Sequence, residues 1–121
     1  MAEILILDDD ALVAQSMRHA LKTEHAIDLS QSPADSLAFL QLGKRYAAIL
    51  CDLSMPGFSG IQFYDAVRAL DPHQAQRIIF VSGGAYLEEI QNRLEALNNV
   101  LLNKPFTFDQ LRQTVRRVAA A

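Results

Sequence analysis

Ile4-Leu5-Ile6-Leu7-Asp8-Asp9-Asp10 is the stretch that decides the fold. Its apolar run is unbroken and β-branched at alternate positions, so it reads as a strand buried on both faces, and acids follow at once. The same grammar recurs three times. Ala47 to Cys51 is followed by Asp52, Ile78 to Val81 by Ser82, and Val100 to Leu102 by Asn103-Lys104. Strands covered on both faces belong to a parallel sheet, whose carboxyl ends share one edge. Asp8, Asp9, Asp52, Ser82 and Lys104 are therefore expected to converge there, where open α/β sheets place their sites.

Helical patterns fill the intervals. From about Ala11 to Lys22, Val13, Met17, Ala20 and Leu21 share one face, and Asp10 is placed to cap the start. A further strand, Ala26 to Leu29, leads to the cap and first-turn pair Ser32-Pro33, then to Leu37 and Leu40, with Gly43 as the stop. After Asp52 the loop Leu53 to Gly60 enters a helix with Ile61, Tyr64 and Val67 inward, ended by Asp71-Pro72. A stripe of Leu87, Ile90, Leu94 and Leu97 precedes Asn98-Asn99, and a last helix carries Leu111, Val115 and Val118. Strand and helix alternate five times without a linker or repeat, which predicts a doubly wound α/β fold with five parallel strands and five helices.

The chain has 121 residues, half of them apolar, which predicts a single domain over 1–121 with a real core. The formal net charge of −3 comes with no basic block, so direct nucleic-acid binding is not expected. No apolar run approaches the ~20 residues that span a bilayer, and no charged leader precedes the first strand. A soluble, cytoplasmic protein without membrane contact is expected. Cys51 is the only cysteine, which excludes an internal disulfide and a cysteine metal cluster; it reads as a buried strand thiol. His19, His25 and His73 share no spacing with a carboxylate or one another and read as surface or helix residues.

Three carboxylates brought together repel, by about 4 kcal/mol for one pair at ~4 Å and an effective dielectric near 20, so Asp8, Asp9 and Asp52 call for a cation. Hard oxygens suit Mg²⁺. Lys104 adds a fixed positive charge and Ser82 a hydroxyl donor, a combination suited to a phosphoryl group in transfer. Asp52, alone at a strand end before a loop, is the best nucleophile.

The four motifs, Ile4 to Asp10, Asp52-Leu53-Ser54-Met55-Pro56-Gly57 through Gly60, Ile79 to Gly83, and Asn103-Lys104-Pro105-Phe106, closely resemble the receiver domain of response regulators in two-component signalling, over essentially the whole chain. The resemblance implies a flavodoxin-like strand order of 2-1-3-4-5 and a cis Lys104-Pro105 peptide. It implies that Asp52 accepts a phosphoryl group from the phosphohistidine of a histidine kinase or histidine phosphotransfer protein. It further implies that Asp9, Asp52 and the Ser54 carbonyl ligate Mg²⁺, that Asp8 does so mainly through water, and that Ser82 and Lys104 hold the phosphoryl oxygens. No substrate turnover beyond phosphorylation and dephosphorylation of Asp52 is expected, and the resemblance leaves room for a homodimer.

Taken singly, each residue has a plainer reading. Three acids opening a helix often serve only as cap and dipole partners, worth about 0.3 to 1 kcal/mol each. Asp52 before Pro-Gly could form a turn, Ser82 before Gly-Gly likewise, and most lysines are solvated. The four motifs together outweigh these readings. Two departures from the family pattern bear on mechanism. Ser82 stands where Thr is common, which keeps the hydroxyl and removes a methyl group. Leu101, three residues before Lys104, stands where many receivers carry a Tyr or Phe that turns inward. Phosphorylation is therefore expected to remodel the loop after Ser82 and the helix beginning near Tyr86, and to transmit less through the face formed by that fourth helix and the fifth strand. Gly83 and Gly84 leave the site's flank bare, so water is expected to reach an acyl phosphate easily. The Ser82-Gly83-Gly84 loop and the absent aromatic also resemble receivers fused to hybrid histidine kinases, and a stand-alone receiver and an excised one are both open.

Three other functions are weighed against this. A haloacid-dehalogenase-like phosphohydrolase needs a general acid two residues after its nucleophile, where this chain has Ser54. A flavodoxin-like cofactor site wants backbone N–H groups where this chain presents acids. A phosphorylation-independent interaction module remains the serious alternative.

Overall fold

The computed structural model describes residues 2–55, 57–84 and 88–121. Five parallel strands, β1 (Glu3–Leu7), β2 (Ala26–Ser30), β3 (Ala48–Asp52), β4 (Ile78–Ser82) and β5 (Leu101–Asn103), form one sheet in the order β2-β1-β3-β4-β5. Ile4 pairs with Ile27 and Ala48, Cys51 with Phe80, and Val81 with Leu102, a register that brings Leu7, Asp52, Ser82 and Asn103 to a common edge. The order expected from the resemblance is the order found.

The helices are α1 (Ala11–Leu21), α2 (Pro33–Gln41), α3 (Gly60–Leu70), α4 (Pro72–Gln76), α5 (Glu88–Ala96) and α6 (Phe108–Ala120). Six helices thus stand among the described residues where five were expected. Asp71 is the cause: it ends α3 and at once caps α4, its carboxylate accepting from the His73 and Gln74 N–H groups, and Pro72 fits the first helical turn, where its missing N–H costs nothing. The other caps follow the sequence. Asp10 accepts from Leu12 and Val13, Ser32 from Asp35, and Ser59 and Thr107 form reciprocal boxes with Gln62 and Gln110.

Alternate strand residues face opposite layers, and both are covered. Leu5, Leu7, Ile49, Cys51, Ile78 and Phe80 pack with α3 and Leu40 of α2. Ile4, Ile6, Ala48, Leu50, Ile79 and Val81 pack with α1 and α6. Period-2 burial on both faces is what the unbroken apolar runs demand. Four details differ from expectation. Ala14 rather than Val13 takes the buried place on α1, and Ser36 rather than Leu37 is fully buried on α2. Ile90, Leu94 and Leu97 are only half-buried, and Leu87 and Tyr86 lie outside the described residues, as does Pro56 of the β3–α3 loop. His19 and His73 are exposed, but His25 is half-buried with both ring nitrogens shielded and unpartnered, and burial lowers its pKa.

Candidate functional site

Each site residue is delivered by a strand end. Asp8 and Asp9 follow β1, Asp52 closes β3, Ser82 closes β4 and Lys104 follows β5. Asp8, Asp9 and Asp52 each place a carboxylate oxygen within 4.8 Å of the others. Asp8 is fully buried, Asp52 is 8% exposed, and Asp9 is open to solvent. The Asp10 N–H donates to Asp8 Oδ1 at 2.8 Å, while Asp8 Oδ2 is buried with no partner. The Ser54 N–H donates to Asp52 Oδ1 at 3.1 Å, and Ser54 itself is exposed.

Burial raises the pKa of Asp8 from 3.8 to about 6; the Asp10 N–H opposes that shift, and the nearby Asp52 charge adds to it. Burial likewise raises Asp52, against the pull of the Ser54 N–H and the Lys104 charge, with Asp9 pushing it further up. An acid that is buried, like-charged with its neighbours and short of a hydrogen bond is short of a cation. The donor set of hard carboxylate oxygens fits a divalent ion of the Mg²⁺ type. Lys104 is the cation the chain itself supplies, held by a cis peptide to Pro105 and by its own N–H, which donates to the Ser82 carbonyl at 2.7 Å.

The Ser82 hydroxyl is engaged elsewhere. It donates to the Gly84 carbonyl at 3.2 Å in a local turn. Gly83 and Gly84 are exposed, and a Cβ at Gly84 would meet nothing within 4 Å. The motif that begins at Asp52 ends at Gly60 without assigning it a role, and the end of β3 depends on it. A Cβ there would lie 3.0 Å from the Asp52 carbonyl and 3.1 Å from Leu53 Cα, so glycine lets α3 start close against the backbone at the end of β3. The Ser59 cap directly before it was the available signal. Cys51, between two strands and fully buried, has its thiol pKa raised by burial and stays inert.

A doubly wound parallel sheet thus gathers an acid cluster, a hydroxyl and a lysine along its carboxyl edge. The pattern of the response regulator receiver domain family matches residues 4–116, and the chain belongs to that family, which serves two-component signalling. The hydrogenase transcriptional regulatory protein HoxA of Cupriavidus necator is 33% identical over 121 residues, covering 99% of this chain and 24% of that protein. The cell cycle response regulator CtrA of Brucella ovis is 32% identical over 115 residues, covering 89% of this chain and 46% of its own length. The chain therefore spans about a quarter to just under half of the length of these relatives. Among solved structures, the chemotaxis response regulator CheY4 of Vibrio cholerae superposes with a TM-score of 0.83 at 27% identity, covering 98% of each chain.

Proposed function

We propose that residues 1–121 act as one receiver domain that takes a phosphoryl group onto Asp52 from the phosphohistidine of a histidine kinase or histidine phosphotransfer protein, and that it works in the cytoplasm. The observation that carries this reading is the buried, unpartnered Asp8 Oδ2 beside Asp9 and Asp52, an arrangement with no structural benefit of its own. Asp8, Asp9, Asp52 and the Ser54 carbonyl would hold Mg²⁺, whose charge offsets that of the carboxylates and of the incoming phosphoryl oxygens.

In the transfer, an Asp52 carboxylate oxygen attacks phosphorus, the O–P bond forms as the P–N bond breaks, and the electron pair returns to the imidazole. Lys104 compensates charge on the transferred oxygens. The Ser82 hydroxyl has a single proton to donate, so gripping a phosphoryl oxygen means releasing the Gly84 carbonyl. That exchange gives phosphorylation a route into the Gly83-Gly84 loop. Hydrolysis reverses the state: water attacks phosphorus, the O–P bond breaks, and inorganic phosphate and the Asp52 carboxylate result.

Exposed apolar side chains on α1 and α6 are available to a partner protein. Leu12, at the start of α1, is 83% exposed, and Phe108, at the start of α6, is 40% exposed with His19 of α1 against its ring at 6.4 Å. No helix among the described residues is long and apolar enough to cross a membrane. Incubating the chain with a small phosphodonor and Mg²⁺ and measuring intact mass tests the reading. A gain of one phosphoryl group, abolished by Asp52→Ala, is expected; no gain would leave a phosphorylation-independent interaction module.

A further inference from the structure

Helix α5 comes a few residues after the Ser82-Gly83-Gly84 end of β4, yet none of its residues is buried. Every other helix buries at least two. Since packing of an apolar face supplies most of a helix's stability in a protein, α5 is the least firmly seated of the six. Ile90 and Leu94 pack partly against the core, and among the described residues one side-chain hydrogen-bonded link joins the helix to a neighbouring element: Arg93 donates to both carboxylate oxygens of Asp65 on α3, at 2.7 and 3.3 Å. The other side-chain hydrogen bond on the helix, from Gln91 to Glu95, stays within it.

Just past the helix, Asn99 Nδ2 donates to the carbonyls of Ala75 and Ile78, each at 2.8 Å. The helix is thus pinned beyond its carboxyl end and latched near its middle. Beside the pinned end lies a cleft of about 460 Å³, lined by Tyr64, Gln76, Ala96, Leu97, Asn98 and Asn99. A tilt about Asn99 moves mainly the far end of α5, toward Glu88 and the Ser82-Gly83-Gly84 loop.

We propose that the Asp65–Arg93 pair is a latch that sets how often α5 leaves its resting seat, and with it how readily the Ser82 loop rearranges to receive a phosphoryl group. This rests on the phosphoacceptor reading and adds its regulation. Phosphorylation shifts the helix only through interactions that differ between the two seats. The turn from Ser82 to Gly84 is one such interaction and the latch is another. Both partners of the latch are about half exposed, at 47% and 49%, so its strength is modest and tunable.

The test compares the full chain with Asp65→Asn, Arg93→Gln and the reversed pair Asp65→Arg with Arg93→Asp. Amide hydrogen exchange is read without phosphodonor, and phosphoryl uptake from a small phosphodonor with Mg²⁺ is read by intact mass. Each single variant is expected to speed exchange in α5 by roughly two- to five-fold, the range an exposed ion pair supports, leave α6 unchanged, and raise the uptake rate by a similar factor. The reversed pair is expected to restore both. Unchanged α5 exchange, or equal acceleration in α6, would overturn the latch. Faster α5 exchange with an unchanged uptake rate would overturn its control of the site. A wild-type chain that takes up no phosphoryl group would instead overturn the phosphoacceptor reading, while the exchange data alone still decide the latch.

Discussion

The two edges of the sheet are built on opposite terms. At the amino edge, the polar groups of Gln74, Arg77 and Asn99 are matched, and His25, with both ring nitrogens unpartnered, is the exception. Gln74 is 3% exposed, its Oε1 accepting from the Tyr46 N–H at 2.8 Å and its Nε2 donating to the Tyr46 carbonyl at 2.9 Å. Arg77 donates to the carbonyls of Ala47, Val118 and Ala121, closing the end of α6 over β3. Asn99 bonds Ala75 and Ile78 in the same layer. At the carboxyl edge, three carboxylates crowd together, one buried oxygen has no partner, and the exposed Gly83 and Gly84 offer no side chain. One edge holds the fold, and the other gives up stability for a site, the division expected where a local rule fails for function.

Gln74→Ala gives the largest effect. It leaves a buried N–H and a buried carbonyl of Tyr46 unpaired, each costing about 1–3 kcal/mol, so a loss of roughly 2 to 5 kcal/mol is expected from urea unfolding. A loss below about 1 kcal/mol would mean that this edge is not the fold's clasp.

Asp8→Asn should act in the opposite direction. With its pKa raised to about 6, native Asp8 holds a proton that the unfolded chain releases near 3.8, so metal-free stability falls as pH rises through that window and stays low above it. Asp52 is shifted the same way and adds to the trend. Asn keeps an oxygen for the Asp10 N–H and carries no charge. At pH 7 without Mg²⁺ the variant should therefore be more stable by about 1 to 3 kcal/mol, with a flatter pH profile, and Mg²⁺ should stabilise it less than wild type. Urea midpoints across the window decide it; an equal slope in both proteins would remove Asp8 as the strained group.

The carboxyl edge was legible in the sequence because parallel topology turns strand ends into neighbours, so five residues far apart in the chain could be placed together from their positions after apolar runs. The amino edge was not. Gln74, Arg77 and Asn99 act through backbone carbonyls and N–H groups of distant segments, and no spacing announces such bonds. Asp71-Pro72 was read as a stop because a cap and a terminator use the same residues, and only packing shows that a second helix begins there. The weak seat of α5 was hidden as well, since Ile90, Leu94 and Leu97 form a proper stripe whose depth of burial depends on the neighbours it meets.

Gly84 sharpens the comparison at smaller cost. With open space around it, Gly84→Glu should leave stability within about 0.5 kcal/mol while its side chain fences water from the phosphoryl group. The expected result is a several-fold longer lifetime of the phosphorylated species by intact mass over time. A wild-type lifetime of many hours would already contradict the open flank.

The smallest effect concerns β5, which reaches the site edge but lacks an aromatic to turn. Leu101 is half-buried, packed against the layer that holds Phe80 and α3, and its main-chain partner on β4 is Phe80. An aliphatic side chain of that length has no hydroxyl to exchange and little to gain by moving inward, whereas the Ser82 turn must change partner to meet a phosphoryl oxygen. With a phosphoryl mimic and Mg²⁺, amide exchange should change at Gly83, Gly84 and in α5 and hardly at Leu101. Strong changes centred on Leu101 would show that β5 carries the signal without an aromatic, and the division between a responsive β4–α5 side and a passive β5 would fall.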